Sequence, residues 1–260
     1  MMHRDNIFLS NRLENSARMV TEGYSVADIG CDHAHTSIFL VKKGISPFAI
    51  AMDVRKGPLS HADANIRMYG LEDRIETRLS DGLEKLKEGE TDSILITGMG
   101  GTLTVQILQN GLNKAAAAKE IILQPQSDIG MVRRFLRENG FCITCEKMCR
   151  EDGKFYNSMK AVRDISGSNT GEKEGFGFEN SGYYTRSYDF YQELFDEFGY
   201  ELLKVKDWML YDYLCILKEK NKRILQDISK NGSDTSMEKN KFFLHEKELL
   251  EEALSIMGMV

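Results

Sequence analysis

A chain of 260 residues, 42% hydrophobic and 28% charged, has room for one full α/β domain plus an appendage. No basic-then-apolar leader and no apolar run long enough for a bilayer-spanning helix is present, so the expected compartment is the cytoplasm, where Cys31, Cys142, Cys145, Cys149 and Cys215 stay reduced. The net charge of −6 counts against a broadly basic, nucleic-acid-binding surface, and all of that excess lies beyond Asp164.

Ile7, Leu9, Leu13, Met19 and Val20 recur at helical spacing and read as a helix leading into the first strand. Val26, Ala27 and Ile29 make a short apolar strand ending in Asp28-Ile29-Gly30, and a helical pattern starts near His33. This is the opening unit of an open parallel sheet, which binds ligands at the carboxyl ends of its strands. Phe48–Met52 is the second strand and Asp53 closes it, placed to accept hydrogen bonds from a ribose diol. The pair suggests a nucleoside-bearing cofactor. A helix follows from about Pro58 to Met68, with proline in its first turn. Arg74–Leu79 alternates as a third strand and runs into Asp81-Gly82, which fits a carboxylate beside an adenine and equally fits a plain turn.

Ser93–Thr97 is an apolar fourth strand ending in Gly98-Met99-Gly100-Gly101, with a helix from Thr102. Glu120–Gln124 is a fifth strand stopped by Pro125, and a helix around Ile129–Glu138 stops at Gly140. Phe141–Met148 and Lys154–Val162 pair through a hairpin turn at Glu151-Asp152-Gly153. The expected fold over residues 1–164 is α/β: a Rossmann-like, class I methyltransferase-like doubly wound and mostly parallel sheet with a terminal antiparallel hairpin. Residues 165–206 read as a linker and connecting segment, rich in Gly, Ser, Asn and Glu from Ile165 to Gly182. Residues 207–260 read as an antiparallel α-helical coiled-coil hairpin broken at Asn231–Thr235, with Phe242, Leu249, Ile256 and Phe243, Leu250, Met257 at heptad intervals. A stabilising or dimerising element and a binding arm are both open for it.

Three glycines within four residues at Gly98–Gly101 let a backbone approach a ligand closely and feed a helix N-terminus. No Gly-Lys-Ser/Thr follows, and the first turn lacks G-x-G-x-x-G, so neither a phosphate loop nor a dinucleotide fingerprint is present. The loop sits where class I methyltransferases present the target atom to the methyl group; a tight turn without a role is the alternative. Asp32-His33 lies at the mouth of the same crevice. There it either takes a proton from an amine made cationic by methylation, or Asp32 caps the next helix and His33 packs. His35 reads as a surface or packing residue. Cys142, Cys145 and Cys149 form no metal site: strand alternation puts the first two on opposite faces, and no histidine cluster completes a set. Arg133, Arg134, Arg137, Lys147, Arg150, Lys154, Lys160 and Arg163 are the most basic part of the chain, suited to a solvated face or to phosphates.

Leu9-Ser-Asn-Arg-Leu13, Ala27-Asp-Ile-Gly-Cys-Asp-His-Ala34, Gly98-Met-Gly-Gly-Thr-Leu103, Leu123-Gln-Pro125 and Arg150-Glu-Asp-Gly-Lys154 occur in this order. With the helical tail they resemble the TrmK family, the bacterial tRNA adenine-22 N1-methyltransferases, over nearly the whole chain. The resemblance implies S-adenosylmethionine as donor and N1 of an adenine in tRNA as acceptor. It matches Asp28, Gly30, Asp32 and His33 to the family's first cofactor loop and Gly98–Gly101 to its loop after strand four. With the residues read above, Asp28, Gly30, His33, Asp53, Asp81, Gly82, Gly98, Gly100 and Gly101 are expected around the cofactor, and Asp32, Gly98 and Met99 at the reacting centre. Arg12, Arg133, Arg134, Arg137, Arg150 and Lys154 are left for the RNA. Three features depart from the family or from what a flipped base needs: His35-Thr36-Ser37 stands where the family has an aromatic-leucine-proline run, Asn11 where it often has a basic residue, and the sixth-strand region offers no aromatic box for stacking the base. N1 of adenine has an in-plane lone pair, so attack needs positioning more than a strong base, and a carboxylate such as Asp32 suits the cationic product. The acidic net charge favours a second reading, a methyltransferase of a small molecule or protein. A third is a non-catalytic module that binds cofactor and recruits a partner.

Overall fold

Four apolar runs become the centre of one sheet: β1 (Val26–Ile29), β2 (Ala49–Asp53), β4 (Ser93–Thr97) and β5 (Glu120–Gln124), with β3 (Ile75–Leu79) outside them. β1, β2 and β5 are buried at every residue, which is why they read as continuous apolar stretches rather than alternating ones. β3 pairs only with β2 and keeps an alternating, half-exposed pattern. β6 (Phe141–Glu151) and β7 (Lys154–Arg163) form the terminal hairpin. The strand order is β3-β2-β1-β4-β5-β7-β6, parallel except for β7, which runs antiparallel to β5 and to β6. Order therefore reverses between β1 and β4, and the crevice opens at that switch point. This is the class I methyltransferase arrangement that the alternation of elements predicts.

The structure is a computed structural model that describes residues 7–164, 186–231 and 236–258. Two compact units make up the chain, Met1–Gly175 and Phe176–Val260. In the first, helices α1 (Asn11–Ala17), α2 (His35–Lys42) and α3 (Lys56–Tyr69) lie on one side of the sheet, and α4 (Gly101–Asn110), α5 (Leu112–Ala117) and α6 (Ile129–Glu138) on the other. Alternate strand residues serve the two layers. Ala49, Ala51, Leu95 and Ile122 meet Phe39, Leu40 and Ile66 on one face, while Ile50, Ile94, Ile96 and Leu123 meet Leu108, Val132 and Leu136 on the other.

Several expectations are corrected. α1 ends at Ala17, and Met19 and Val20 are buried in the turn beyond it. α2 starts at His35 rather than His33, because Asp32 and Ala34 both take left-handed backbone angles (φ 50° and 58°) that no helix can include. β3 and β4 are joined by turns that carry Leu83 and Leu86 into the core. Thr144 is an extra residue in β6, since Ile143 pairs with Ala161 and Cys145 with Lys160. That bulge reverses the alternation, so Cys142 and Cys145 share a face, contrary to the straight-strand expectation. Among the described residues no three His, Cys, Asp or Glu side chains are grouped to hold a metal ion.

In the second unit, α7 (Tyr188–Phe198) and α8 (Tyr200–Lys204) occupy part of the stretch expected as linker. α7 is capped by Ser187, whose Oγ accepts from Phe190 N, and the Tyr191 hydroxyl meets Glu252 at 2.9 Å. α9 (Trp208–Asn231) and α10 (Ser236–Ile256) pack along each other as the heptad spacing predicts. The seam is narrower than read: Leu249, Leu250, Ala253 and Met257 are buried, but Phe242 and Trp208 are exposed. Asn221 fixes the register, donating to the Phe243 carbonyl at 2.9 Å and to Glu246 at 2.7 Å. The expected breaks at 165–182 and 232–235 lie outside the described residues. No described helix is long and apolar enough to cross a membrane.

Candidate active site

The loops at the carboxyl ends of β1 to β5 enclose a cleft of about 570 Å³. Of the residues singled out in the sequence, Arg12, Asp28, Gly30, Asp32, His33, Asp53, Asp81, Gly82, Gly98 and Met99 line it.

Asp28 leaves β1 fully buried and accepts a hydrogen bond from Ser37 Oγ at 2.7 Å. Burial pushes its carboxyl from 3.8 up to about 6, although Ser37 pulls the other way. Gly30 follows with φ 72°, and a side chain there would collide with the Met99 methyl, so the missing Cβ is the slot that Met99 fills. The amides of Gly30 and Cys31 both donate to the Met52 carbonyl, at 2.8 and 2.9 Å, and tie the loop to β2. Burial, then the surrounding Asp28, Asp53 and Asp32, push the Cys31 thiol far up, which removes it as a nucleophile.

Asp53, 5% exposed, anchors the cleft floor. Its Oδ1 accepts from Arg55 N at 2.9 Å and its Oδ2 from Asp32 N at 3.3 Å. Asp32 caps no helix: the N-cap of α2 is Ala34, with no side-chain cap. Its carboxylate instead stands at the mouth, 3.5 Å from His33 Nε2 and 3.7 Å from Arg55 Nη2. The His33 ring lies 5.1 Å from His61 and 6.0 Å from His35. His35, expected to be a bystander, is on the cleft wall. Desolvation and then its neighbour His33 hold that imidazole below the usual histidine range. Gly82 has φ 49°, and a side chain there would press on Ile107 at 3.0 Å, so the turn after β3 brings Asp81 to the cleft only with glycine behind it.

The second glycine loop splits into two functions. Gly98 (φ 80°) and Met99 face the cleft, and Gly98 N donates to the Gln124 carbonyl at 3.2 Å. Gly100 and Gly101 do not line it. A Cβ on Gly101 would meet the Ser127 carbonyl and, at 2.7 Å, that of Asp128, and Gly101 N donates to Ser127 O at 3.0 Å. These two glycines seat α4 against the loop after β5, so their expected cofactor contact is corrected to a packing role.

Arg12 reaches the cleft from α1. Its Nη1 donates to Gln124 Oε1 at 3.1 Å, its Nε stands 3.5 Å from Glu151, and its guanidinium lies over Tyr156 at 5.5 Å. Because β7 runs against β5, the hairpin tip carrying Arg150 and Lys154 projects beyond the carboxyl end of β5, on the cleft's side of the sheet. Both are exposed, with Arg150 over Phe155 at 5.3 Å. Arg134 is exposed and Arg137 half-buried on α6. Arg133, grouped with them in the sequence, is 5% exposed and paired with buried Glu146 at 2.8 Å. It holds α6 to β6 and faces no ligand. Sequence reasoning also missed Val54 and Leu103, apolar cleft residues left 59% and 47% exposed, and Gln126. An apolar side chain beside Asp53, or beside Gly101, was the available signal for the first two.

A family model described as a methyltransferase domain matches residues 9–159. The chain is 37% identical over 153 residues to the tRNA (adenine(22)-N(1))-methyltransferase of Bacillus subtilis (strain 168), a match spanning 59% of this chain and 64% of that relative, just under two thirds of its length. It superposes on the crystal structure of the B. subtilis m1A22 tRNA methyltransferase TrmK with a TM-score of 0.78 and 28% identity, covering 96% of this chain and 100% of that one. Streptococcus pneumoniae Sp1610, solved in complex with S-adenosyl-L-methionine, superposes with a TM-score of 0.73 and 28% identity over 95% of this chain and 100% of that one.

Proposed function

The chain belongs to the methyltransferase-domain family, and we propose that it methylates N1 of adenine-22 in tRNA with S-adenosylmethionine as donor. The observation that carries this is the meeting, in one switch-point cleft, of buried Asp53 with the Gly98-Met99 turn, in a chain similar to m1A22 methyltransferases over nearly its full length. The residues present fit the cofactor. Asp28 is a fully buried carboxylate with no cation beside it among the described residues, and the ammonium group of S-adenosylmethionine supplies one. Asp53 offers acceptors to the ribose, and Asp81 and Gly82 border the adenine. When bound, S-adenosylmethionine supplies an electrophilic methyl group.

What the chain's own residues contribute is placement. Gly98 and Met99 present the acceptor ring edge-on, and the N1 lone pair forms the new bond without prior loss of a proton. The Asp32 carboxylate at the mouth faces the positive charge that appears on the ring. The target base must leave its stack to enter. Arg12, Arg150 and Lys154 on the cleft side, with Arg134 and Arg137 on α6, then take the phosphates. The helical unit bears on the tRNA body by shape, or stabilises the chain. A tRNA substrate and five free cysteines fit a reducing cytoplasm. A tRNA transcript with guanosine in place of adenosine-22 is expected to accept no methyl while its parent is fully modified; equal modification of both contradicts the assigned position.

Asp28 makes the cofactor site sensitive to pH. Its carboxyl is raised in the folded protein, from 3.8 to about 6, so folding is favoured by the protonated form. That contribution, roughly 3 kcal/mol, is complete below about pH 4 and is lost as pH rises through about 6. A cationic ligand favours the ionised form, so affinity for S-adenosylmethionine should rise about tenfold from pH 5 to pH 7. The Asp28→Asn variant should show a flat profile. Calorimetric titrations at both pH values decide it, and an equal wild-type affinity at both contradicts the role given to Asp28.

A further inference from the structure

Gly98 lies where three elements meet. A Cβ on it would stand 3.9 Å from Arg12 Nη1, on α1, and 3.9 Å from Gln126 Nε2, in the loop after β5. The gap left by the missing side chain is therefore walled by a guanidinium and a carboxamide, and all three residues line the cleft. The two walls differ in what they can still do. Arg12 is committed to Gln124, with Glu151 alongside. The Gln126 carboxamide is exposed and makes no hydrogen bond among the described residues. Its root is nonetheless fixed: Pro125 precedes it, and its backbone N–H donates to the Met99 carbonyl at 2.8 Å. A free amide on a rigid root, beside the turn that receives the reacting atom, has the form of a recognition group.

We infer that Gln126 accepts a hydrogen bond from the exocyclic amino group of the target adenine and positions the ring at the Gly98-Met99 turn. The inference rests on the tRNA adenine-N1 reading given above. A base presenting N1 at Gly98-Met99 carries its 6-substituent to one side of that atom. In adenine this is an amino group, a donor; in guanine it is a carbonyl, and N1 bears a hydrogen. A half-turn of the carboxamide exchanges its nitrogen and oxygen, so Oε1 accepts from the adenine amino group; guanine is refused at N1 itself, which bears a hydrogen and has no free in-plane lone pair to attack with. As N1 is methylated the ring becomes cationic and the amino group a stronger donor, so the bond tightens toward the transition state. Asp32, tied to His33 and Arg55 on the opposite loop, supplies charge rather than this pattern.

The test is a cycle between the protein and the substrate. Wild type and Gln126→Ala are each assayed, at saturating cofactor, on tRNA carrying adenosine and on tRNA carrying purine riboside at the target position. Purine riboside lacks the amino group and is intrinsically a weaker nucleophile, so some loss is expected with both proteins. A shared hydrogen bond makes the penalty for removing the amino group about tenfold larger in wild type than in Gln126→Ala. Gln126→Ala should itself lose roughly tenfold on the adenosine substrate, with cofactor affinity unchanged. Equal penalties in the two proteins, with wild type active on adenosine tRNA, overturn the role of Gln126 alone. Absence of transfer by wild type to any tRNA overturns the functional reading and this inference together.

Discussion

Gly101→Ala is expected to lower the melting temperature by roughly 10 °C. Helix propensity alone points the other way, because alanine at a helix position is favoured over glycine by about 1 kcal/mol. The space decides. The new methyl would sit against the backbone carbonyls of Ser127 and Asp128, which cannot swing aside as a side chain can. Forcing the two loops apart breaks the Gly101 N to Ser127 O bond and costs about 3 kcal/mol or more, which for a domain of this size is the stated shift. Gly100→Ala is the control. Its backbone is extended (φ −67°) and its nearest neighbour is the Ser127 hydroxyl at 3.1 Å, so little change is expected. A differential-scanning melt of the two variants settles it, and Gly101→Ala melting with the wild type would show that the loops are not clamped together.

Asp53→Ala is expected to weaken S-adenosylmethionine binding by about two orders of magnitude. Two charge-assisted hydrogen bonds to a ribose are at stake, at roughly 1.5–3 kcal/mol net each, and the lower end of that range gives the stated loss. The same carboxylate also holds the Asp32 and Arg55 amides, so its loss loosens the mouth of the cleft as well as the ribose site. Asp53→Asn keeps one acceptor oxygen and should fall between. Isothermal calorimetry reads both; an alanine variant with wild-type affinity would place the ribose elsewhere.

Much of this architecture is legible in the sequence because buried parallel strands leave an unmistakable trace. Val26–Ile29, Phe48–Met52, Ser93–Thr97 and Glu120–Gln124 are apolar runs each closed by glycine, an acid or proline, and the structure makes each the centre of the sheet. Asp53 and Gly98 are legible for the same reason: strand ends define the crevice. What could not be read depends on contacts made across the fold. Nothing local marks Arg133 as different from Arg134, yet one turns inward to Glu146 and the other stays outside. The left-handed angles at Asp32 and Ala34 accompany the bonds of the loop to β2 and fall on residues that are not glycine, so the sequence pattern starts α2 two residues early. The Thr144 bulge shows only in its pairing with β7. His35 and Gln126 carry no motif, and they matter only because α2 and the loop after β5 close on the same cleft. In the second unit, α7 and α8 follow a stretch poor in large aliphatics, and that composition masked the aromatic residues Tyr191, Phe195 and Phe198 that bury their face.

The central claim is tested most directly by incubating the purified protein with labelled S-adenosylmethionine and unmodified bulk tRNA, then digesting the tRNA and identifying the labelled nucleoside by mass spectrometry. The account predicts label in 1-methyladenosine. Label in another nucleoside, or none at all from a protein that binds the cofactor in a parallel calorimetric titration, would contradict it.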